Sequence, residues 1–377
     1  MVRACVFEGP ERAAVREFPM PKLSEDTAIA KMRLSGVCGT DSSIFRGHLD
    51  FIEYPVIPGH ENIGEVYEIG SKARREMEIH GGSLSEGDRI TWAPGIPCGK
   101  CYGCRWLTSN KADYCSNGFY YGQQCCEGEE NKPWLFGGWS EYVYLRPGTA
   151  VYKLPNSLPD DVAVLVDTFA SVRGVESSKS PAPDVKEGFG FMDTVVVQGS
   201  GPIGLAAAIK AKVLGAGKII MVGGPKWKLD LAREFGVDEV IDITEQRKPE
   251  DRVEDVTRLT DGIGADLVVE CVGNPLVLKE GIKMSRLGGT YFIIGCFANM
   301  GPVEIFPHDI VNKDLRIIGQ RYASRMQYEK DLRFLTKYQN DIPFKKLITH
   351  RFPMNEVEKA MDIQKEFKGM KLTISPS

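Results

Sequence analysis

The chain has 377 residues, with 47 Lys+Arg against 51 Asp+Glu and a formal net charge of −4. At roughly 150 residues per domain that length implies two or three domains. The near balance of charge argues against a nucleic-acid binder, which carries a basic excess or stripe. Hydrophobic residues make up 42% and charged residues 26%, an ordinary globular composition that can bury a sizeable core. No apolar run reaches the roughly 18 residues that a membrane-spanning helix needs. Glu8 and Pro10 interrupt the N-terminus before a signal-like apolar run develops, so no secretory signal is expected. Of ten cysteines, six lie between Cys98 and Cys126, and Cys38 stands just upstream of a histidine motif. That clustering reads as metal binding in a reducing compartment, and the cytoplasm is the expected location.

Residues 1 to about 160 read as β-rich: short runs such as Ile63–Ile69 and Tyr142–Leu145 are punctuated by Gly, Pro and Asp. Ser71–Ser85 and Glu127–Pro133 are polar and irregular, and are expected as surface loops. From about 163 the texture changes. Val195–Val197 is a continuous β-branched run, the mark of a strand buried on both faces. A helix (Ile203–Leu214), a strand (Lys218–Val222), a helix (Lys226–Phe235) and a strand near Val240–Ile243 follow. A helix near Asp251–Leu259, a strand (Leu267–Cys271), a helix around Pro275–Met284 and a strand (Thr290–Ile294) complete the series. Alternation at this spacing predicts a parallel sheet with helical crossovers. An edge strand is expected near Val303–Ile305. The tail after about 320 reads as a helix (Gln327–Tyr338) and a last strand (Lys371–Ile374) that packs back on the N-terminal part.

Cys98-x2-Cys101-x2-Cys104 is followed after ten residues by Cys115. Four thiolates close together form a tetrahedral sulfur site that suits zinc and leaves no vacant position, so its role is structural. Cys115 is the simplest fourth ligand, with Cys125 and Cys126 nearby. A second constellation joins Gly36-Val37-Cys38-Gly39-Thr40-Asp41 to Pro58-Gly59-His60-Glu61. Thiolate and imidazole are good zinc ligands, and a catalytic zinc needs a third protein ligand and one open position. Further on, Val195–Val197 runs into Gly199-x-Gly201-x-x-Gly204 and a helix. This is the context in which such glycines mark a dinucleotide site. Gly199 permits the tight turn, Gly201 lets the backbone approach a pyrophosphate, and Gly204 lets helix and strand pack closely.

In this order, these motifs resemble the zinc-dependent medium-chain alcohol dehydrogenase family. The resemblance spans nearly the whole chain and includes Gly87-Asp88-Arg89, Gly137-Gly138-Trp139-Ser140-Glu141-Tyr142 and Gly288-Gly289-Thr290. It implies an α/β protein with a β-rich GroES-like catalytic domain (1–168 and 322–377) and a Rossmann doubly wound nucleotide domain (169–321). Cys38 and His60 match two catalytic zinc ligands, and Glu61 matches the glutamate beside the metal that can coordinate it transiently. Asp41 matches the acid that orients the histidine, and Thr40 the hydroxyl that bonds the substrate oxygen. The third ligand position falls on Asp167, where the family usually has Cys or Glu. Pro202, Ile203, Gly223, Gly224, Lys226, Lys228, Val272, Gly273, Gly295 and Lys371 join the three glycines as expected cofactor contacts.

The chain departs from the family pattern in three places. Where the family often ends its proton relay with histidine, this chain has Ser43, which leaves relay through water or His48. The last spacing of the cysteine loop is ten residues rather than seven, and the segment Ser177–Phe191 is long. The expected chemistry is reversible oxidation of an alcohol, with two zincs per chain, one catalytic and one structural. Secondary, polyol and cyclic alcohols are the expected substrates, and Trp92, Phe119, Tyr120 and Tyr121 are candidates for apolar lining. NADP is favoured over NAD, because Gly223 stands where NAD-specific relatives carry an acid and Lys226 and Lys228 follow. A homodimer or homotetramer is expected. The competing readings are a zinc-free enoyl or quinone reductase and a non-enzymatic zinc- and nucleotide-binding module.

Overall fold

The computed structural model describes residues 1–107, 114–128, 134–179, 188–296, 298–321 and 323–376. The rest of the expected Glu127–Pro133 loop, from residue 129, and residues 180–187 of the long Ser177–Phe191 segment lie outside them. The chain forms two compact units, Met1–Ala170 with Ala323–Ser377, and Ser171–Tyr322.

The first unit is built on an eight-stranded sheet. At its centre, Ala28–Gly36 pairs antiparallel with Glu61–Ile69 on one side and with Lys371–Ser375 on the other. Tyr142–Leu145 also pairs with Ala28–Gly36. Alternation along the strands drives Ile29, Val66, Trp92, Tyr121 and Val143 into a single core. Trp92 and Tyr121 are fully excluded from solvent there. They are therefore core residues and not the pocket lining expected for them, and Tyr121 spends its hydroxyl on Thr149 at 2.7 Å. Phe119 is half-buried and packs edge-on against Tyr121 and Phe136. The polar stretch Ser71–Ser85 is less irregular than expected: it holds a turn of helix, Ala73–Glu76, and a strand, Glu78–His80. Ala73 and Met77 supply the reason, since both are buried and anchor the segment to the core.

The second unit carries the predicted alternation. Its six strands are all parallel, in the spatial order Glu239–Asp242, Lys218–Gly223, Thr194–Gln198, Ala265–Glu270, Ser285–Ile293 and Arg316–Gly319. This is the doubly wound order, and its switch point lies between Thr194–Gln198 and Ala265–Glu270. Val195, Val196 and Val197 are fully buried, as a strand covered on both faces requires. The helix Pro202–Val213 opens with Pro at its first position and buries Gly204 to Ala211, so it lies against the sheet along most of its length. The edge strand is Arg316–Gly319, not Val303–Ile305. Val303–Ile305 is irregular chain leading into the Pro-initiated helix Pro307–Asn312, which supplies the crossover that a sixth parallel strand needs.

The helix opening explains the third glycine of the turn. A Cβ on Gly204 would stand 1.8 Å from the Gly199 carbonyl oxygen. Gly204→Ala should therefore push the helix off the strand. Overpacking of this kind costs about 1–3 kcal/mol, read as a lower melting temperature together with weaker nucleotide binding by titration calorimetry.

Candidate active site and metal centres

Cys38 ends the chain segment that leaves strand Ala28–Gly36, and helix Gly39–Phe45 begins at once after it. His60 and Glu61 sit at the start of the neighbouring strand, Glu61–Ile69. One ligand atom each from Cys38, His60 and Glu61 lies within 4.8 Å of the others. Asp41 ties the two segments together. Its Oδ2 accepts the Cys38 N–H at 2.8 Å, its Oδ1 accepts the Gly59 N–H at 3.3 Å, and Oδ1 lies 3.6 Å from His60 Nδ1. With Nδ1 facing Asp41, Nε2 is the ring nitrogen of His60 placed to bind a metal, the arrangement common to metal-bound histidines. Burial alone would lower the His60 imidazole, but Asp41 and then Cys38 hold it well above its ordinary value. Thr40 Oγ1 is 3.8 Å from Cys38 Sγ. Ser43 is half-buried one turn further along the same helix, and His48 beyond the helix is exposed.

Glu61 is 2% exposed and Lys371 is 2% exposed, and their charged groups are in direct contact. Lys371 was expected at the cofactor; its ammonium is instead committed to Glu61. Burial works against that ammonium, yet Glu61 and Cys38 raise its pKa. Burial likewise pushes the Glu61 carboxyl up, against the pull of Lys371. Asp167 lies in the short helix Val166–Ala170, 5% exposed, and is near enough to act electrostatically on Glu61 and Lys371. Its Oδ1 accepts the hydroxyl of Tyr328, a buried residue of helix Arg325–Tyr338. Burial and then Asp167 push the Tyr328 hydroxyl up, so it stays a donor. The three atoms brought within 4.8 Å thus include Glu61 rather than Asp167.

The sulfurs of Cys98, Cys101, Cys104 and Cys115 form the other cluster, with all four ligand atoms within 4.8 Å of one another. Cys101 precedes the short helix Tyr102–Trp106, which carries Cys104. Backbone N–H groups of Cys104 and Ser116 hold the Cys101 thiol down at about 6, while burial pushes Cys104 up to about 12. Cys98 N–H points at Cys115 Sγ, 3.2 Å away. Cys125 and Cys126 lie outside the four: Cys126 is buried in a separate apolar cluster with Ile57 and Leu135.

In the second unit, Gly199 has φ +107, and a Cβ there would meet the Cys271 carbonyl carbon at 3.0 Å. A Cβ on Gly201 would meet nothing within 4 Å, which leaves open space at the helix start. Pro202 and Ile203 follow in the first turn of that helix. Gly223 and Gly224 close the next strand around Ser200: Ser200 Oγ donates to the Gly224 carbonyl at 2.8 Å and accepts the Gly224 N–H at 3.0 Å. Lys226 is exposed, with Nζ 2.8 Å from Asp230. Lys228 is buried, and desolvation brings its ammonium down to about 8. It is turned inward, against its expected place on the cofactor.

Sequence reasoning missed Glu270. This fully buried carboxylate accepts the N–H groups of Val272 (2.6 Å) and Gly273 (2.7 Å) on one oxygen and of Gly295 (2.9 Å) on the other. It therefore fixes the two loops that leave the central strands, beside Cys271 and Cys296. The signal was available: one acid ends the apolar run Leu267–Val269 at the carboxyl edge of the sheet. Tyr328 left no comparable trace.

One unit with a parallel doubly wound sheet and an open glycine turn, and another with a three-residue candidate metal site and a four-cysteine cluster, define a zinc-binding, nucleotide-dependent oxidoreductase. Two family models match, an alcohol dehydrogenase GroES-like domain over residues 24–156 and a zinc-binding dehydrogenase domain over residues 202–337. The chain is 30% identical to 5-exo-hydroxycamphor dehydrogenase of Pseudomonas putida over 364 residues, covering 96% of this chain and 95% of that protein. It resembles the crystal structure of an alcohol dehydrogenase from Thermotoga maritima, with TM-score 0.88, 29% identity, and 100% and 99% of the two chains covered. It also resembles a protein from Sinorhizobium meliloti 1021, described as a zinc-binding dehydrogenase and bound to NADP, with TM-score 0.83, 25% identity and coverage of 100% and 99%. The chain belongs to the zinc-dependent medium-chain alcohol dehydrogenase family, whose members are oxidoreductases acting on alcohols.

Gly36 tests the geometry of the three-ligand cluster. A Cβ there would lie 1.9 Å from Glu61 Oε2. Gly36→Ala should displace the carboxylate and break its contact with Lys371. The expected outcome is a lower melting temperature and a lower zinc content by elemental analysis.

Proposed function

We propose that this chain oxidises a secondary alcohol, cyclic or polyol, reversibly to its carbonyl, with one catalytic and one structural zinc. The observation that carries the reading is the set of half-buried Cys38 with buried His60 and Glu61, and the Thr40 hydroxyl beside it. The residues fit zinc: a thiolate, an imidazole with its other nitrogen turned to a carboxylate, and a buried acid make a borderline-soft donor set. Cys38 and His60 would hold the metal with Asp167 as third ligand, and Glu61 stands by as an exchangeable one. Bound there, zinc supplies a Lewis acid that lowers the pKa of an alcohol. Thr40 bonds the substrate hydroxyl and takes its proton, and Ser43, one turn along, is placed to pass it outward. Asp41 keeps the His60 ring oriented throughout. Residues 1–168 and 322–377 carry this chemistry, and residues 169–321 hold the nucleotide that accepts the hydride. Ten free cysteines, with thiolate clusters among them, support a reducing compartment, the cytoplasm.

Cys98, Cys101, Cys104 and Cys115 would hold the second zinc, in a closed site that fastens a loop. Zinc analysis with turnover of cyclic, secondary and polyol alcohols separates the two sites. The wild-type chain should carry two zincs. Cys38→Ser should keep one and lose nearly all turnover, whereas Cys101→Ser should keep one and lose thermal stability first. A wild-type zinc content of one, or an active Cys38→Ser variant, would overturn the reading.

Preference for NADP over NAD is supported by the glycine at position 223 and by Lys226, whose exposed ammonium heads the helix Lys226–Glu234. Lys228 gives no support, because it is buried. Catalytic efficiency with the two cofactors decides the matter. Lys226→Glu should cut efficiency with NADP about tenfold, the effect of about 1.4 kcal/mol, and leave NAD nearly unchanged. A wild-type preference for NAD by tenfold removes the proposal. An acid placed at Gly223 is a poor probe, since its Cβ would lie 2.7 Å from Ser200 Oγ.

A further inference from the structure

We infer that Tyr328 is the positioning residue for the third metal ligand: its hydroxyl holds one oxygen of Asp167 and so presents the other to the metal held by Cys38 and His60. This rests on the reading of Asp167 as a ligand and deepens it.

The carboxylate of Asp167 reaches one methylene less far than a glutamate on the same backbone. A short ligand has few orientations that reach the metal, so something must select among them. The two helices Val166–Ala170 and Arg325–Tyr338 are packed together, and the Tyr328 hydroxyl donates to Asp167 Oδ1 with both residues buried. A carboxylate with one oxygen hydrogen-bonded in this way is held in one orientation and keeps its other oxygen to offer a metal.

The hydroxyl itself cannot wander. The Tyr328 ring stacks on Tyr152, with centroids 5.5 Å apart and planes 29° apart. Tyr152 stacks in turn on His80, with centroids 4.6 Å and planes 13° apart. The Tyr152 hydroxyl is fixed by the Arg325 carbonyl at 2.6 Å, one residue into the helix that carries Tyr328. Three ring layers and one backbone hydrogen bond thus set where the Tyr328 oxygen lies, and that oxygen sets the carboxylate. Groups of this kind, outside the ligand set but bonded to it, typically change metal affinity 10–100-fold when removed.

The test is the affinity of the catalytic zinc, measured by competition with a chromophoric chelator, and the visible absorption of cobalt-substituted protein. Tyr328→Phe keeps the ring stack and removes only the hydroxyl. It should weaken the catalytic zinc by about 10-fold or more and shift the cobalt bands, leaving the four-cysteine site unchanged. Tyr121→Phe removes a buried hydroxyl elsewhere in the same unit, bonded to Thr149, and should leave zinc affinity within about twofold, which controls for loosened packing. Asp167→Asn should lose the catalytic zinc, and adding Tyr328→Phe to it should change nothing further, as coupled residues behave. If Asp167→Asn weakens zinc but Tyr328→Phe leaves affinity and cobalt bands unaltered, Tyr328 is structural and the inference fails alone. If Asp167→Asn retains its zinc affinity, Asp167 is no ligand and both readings fall.

Discussion

The first unit depends on a buried ion pair that crosses a glycine. Glu61 begins one neighbour of the central strand and Lys371 begins the other, with Gly36 between them at the strand's end. A charge excluded from water needs a partner, and losing one partner of a buried pair costs about 3–5 kcal/mol. The pair therefore fixes the register of three strands at the end from which Cys38 departs. Gly36 is the only residue type that leaves room, because any Cβ would occupy the carboxylate position. Candidate metal site and sheet closure share Glu61, and strand Lys371–Ser375 joins the site because it supplies the cation.

The second unit solves its loop problem with a carboxylate as well, but against backbone rather than a cation. Three N–H groups from two loops converge on Glu270. Charge-assisted bonds of this type are about twice as strong as neutral ones. Gly273 and Gly295 have a packing reason beyond flexibility: a Cβ on Gly273 would stand 2.6 Å from the Gly295 carbonyl oxygen. The loops at the carboxyl edge of the sheet are thus held against each other, which is what a site at a switch point requires.

The parallel sheet was legible because its signals are local. Val195–Val197, the glycine turn and the alternation of strand and helix each carry their own meaning, and the observed ends differ from the expected ones by at most five residues. The sixth strand was not legible, since Arg316–Gly319 is short, half-exposed and charged at one end. The cysteine loop was legible from spacing alone. The partners of the site residues were not. Lys371 lies 310 residues from Glu61, and Tyr328 lies 161 residues from Asp167, so no pattern along the chain connects them. Lys228 misled because a lysine at a helix start usually faces water, whereas here it turns into the unit. Trp92 and Tyr121 misled because large aromatics near a metal loop serve a core as readily as a pocket.

The donor set carries its own argument for a divalent metal. Asp41, Glu61 and Asp167 are 0%, 2% and 5% exposed, and Cys38 adds a thiol among them. Lys371 is the lysine paired there, and it is committed to Glu61. Asp41 is satisfied by two backbone N–H groups and by His60. Asp167 has one neutral hydroxyl donor on its Oδ1. Three acids face one ammonium and a His60 ring that Asp41 and Cys38 hold well above its ordinary pKa, so negative charge still exceeds positive, and a low-dielectric interior does not tolerate that without a counter-charge. On the proposed reading, a doubly charged cation held there would offset that excess and favour the thiolate of Cys38. The four-cysteine loop needs its metal for a different reason. There, backbone N–H groups favour the thiolate of Cys101 while burial disfavours that of Cys104, and four thiolates packed this closely would repel one another without a cation. A metal at the first site would leave a position free for substrate; at the second it would be enclosed by sulfur and would hold the loop.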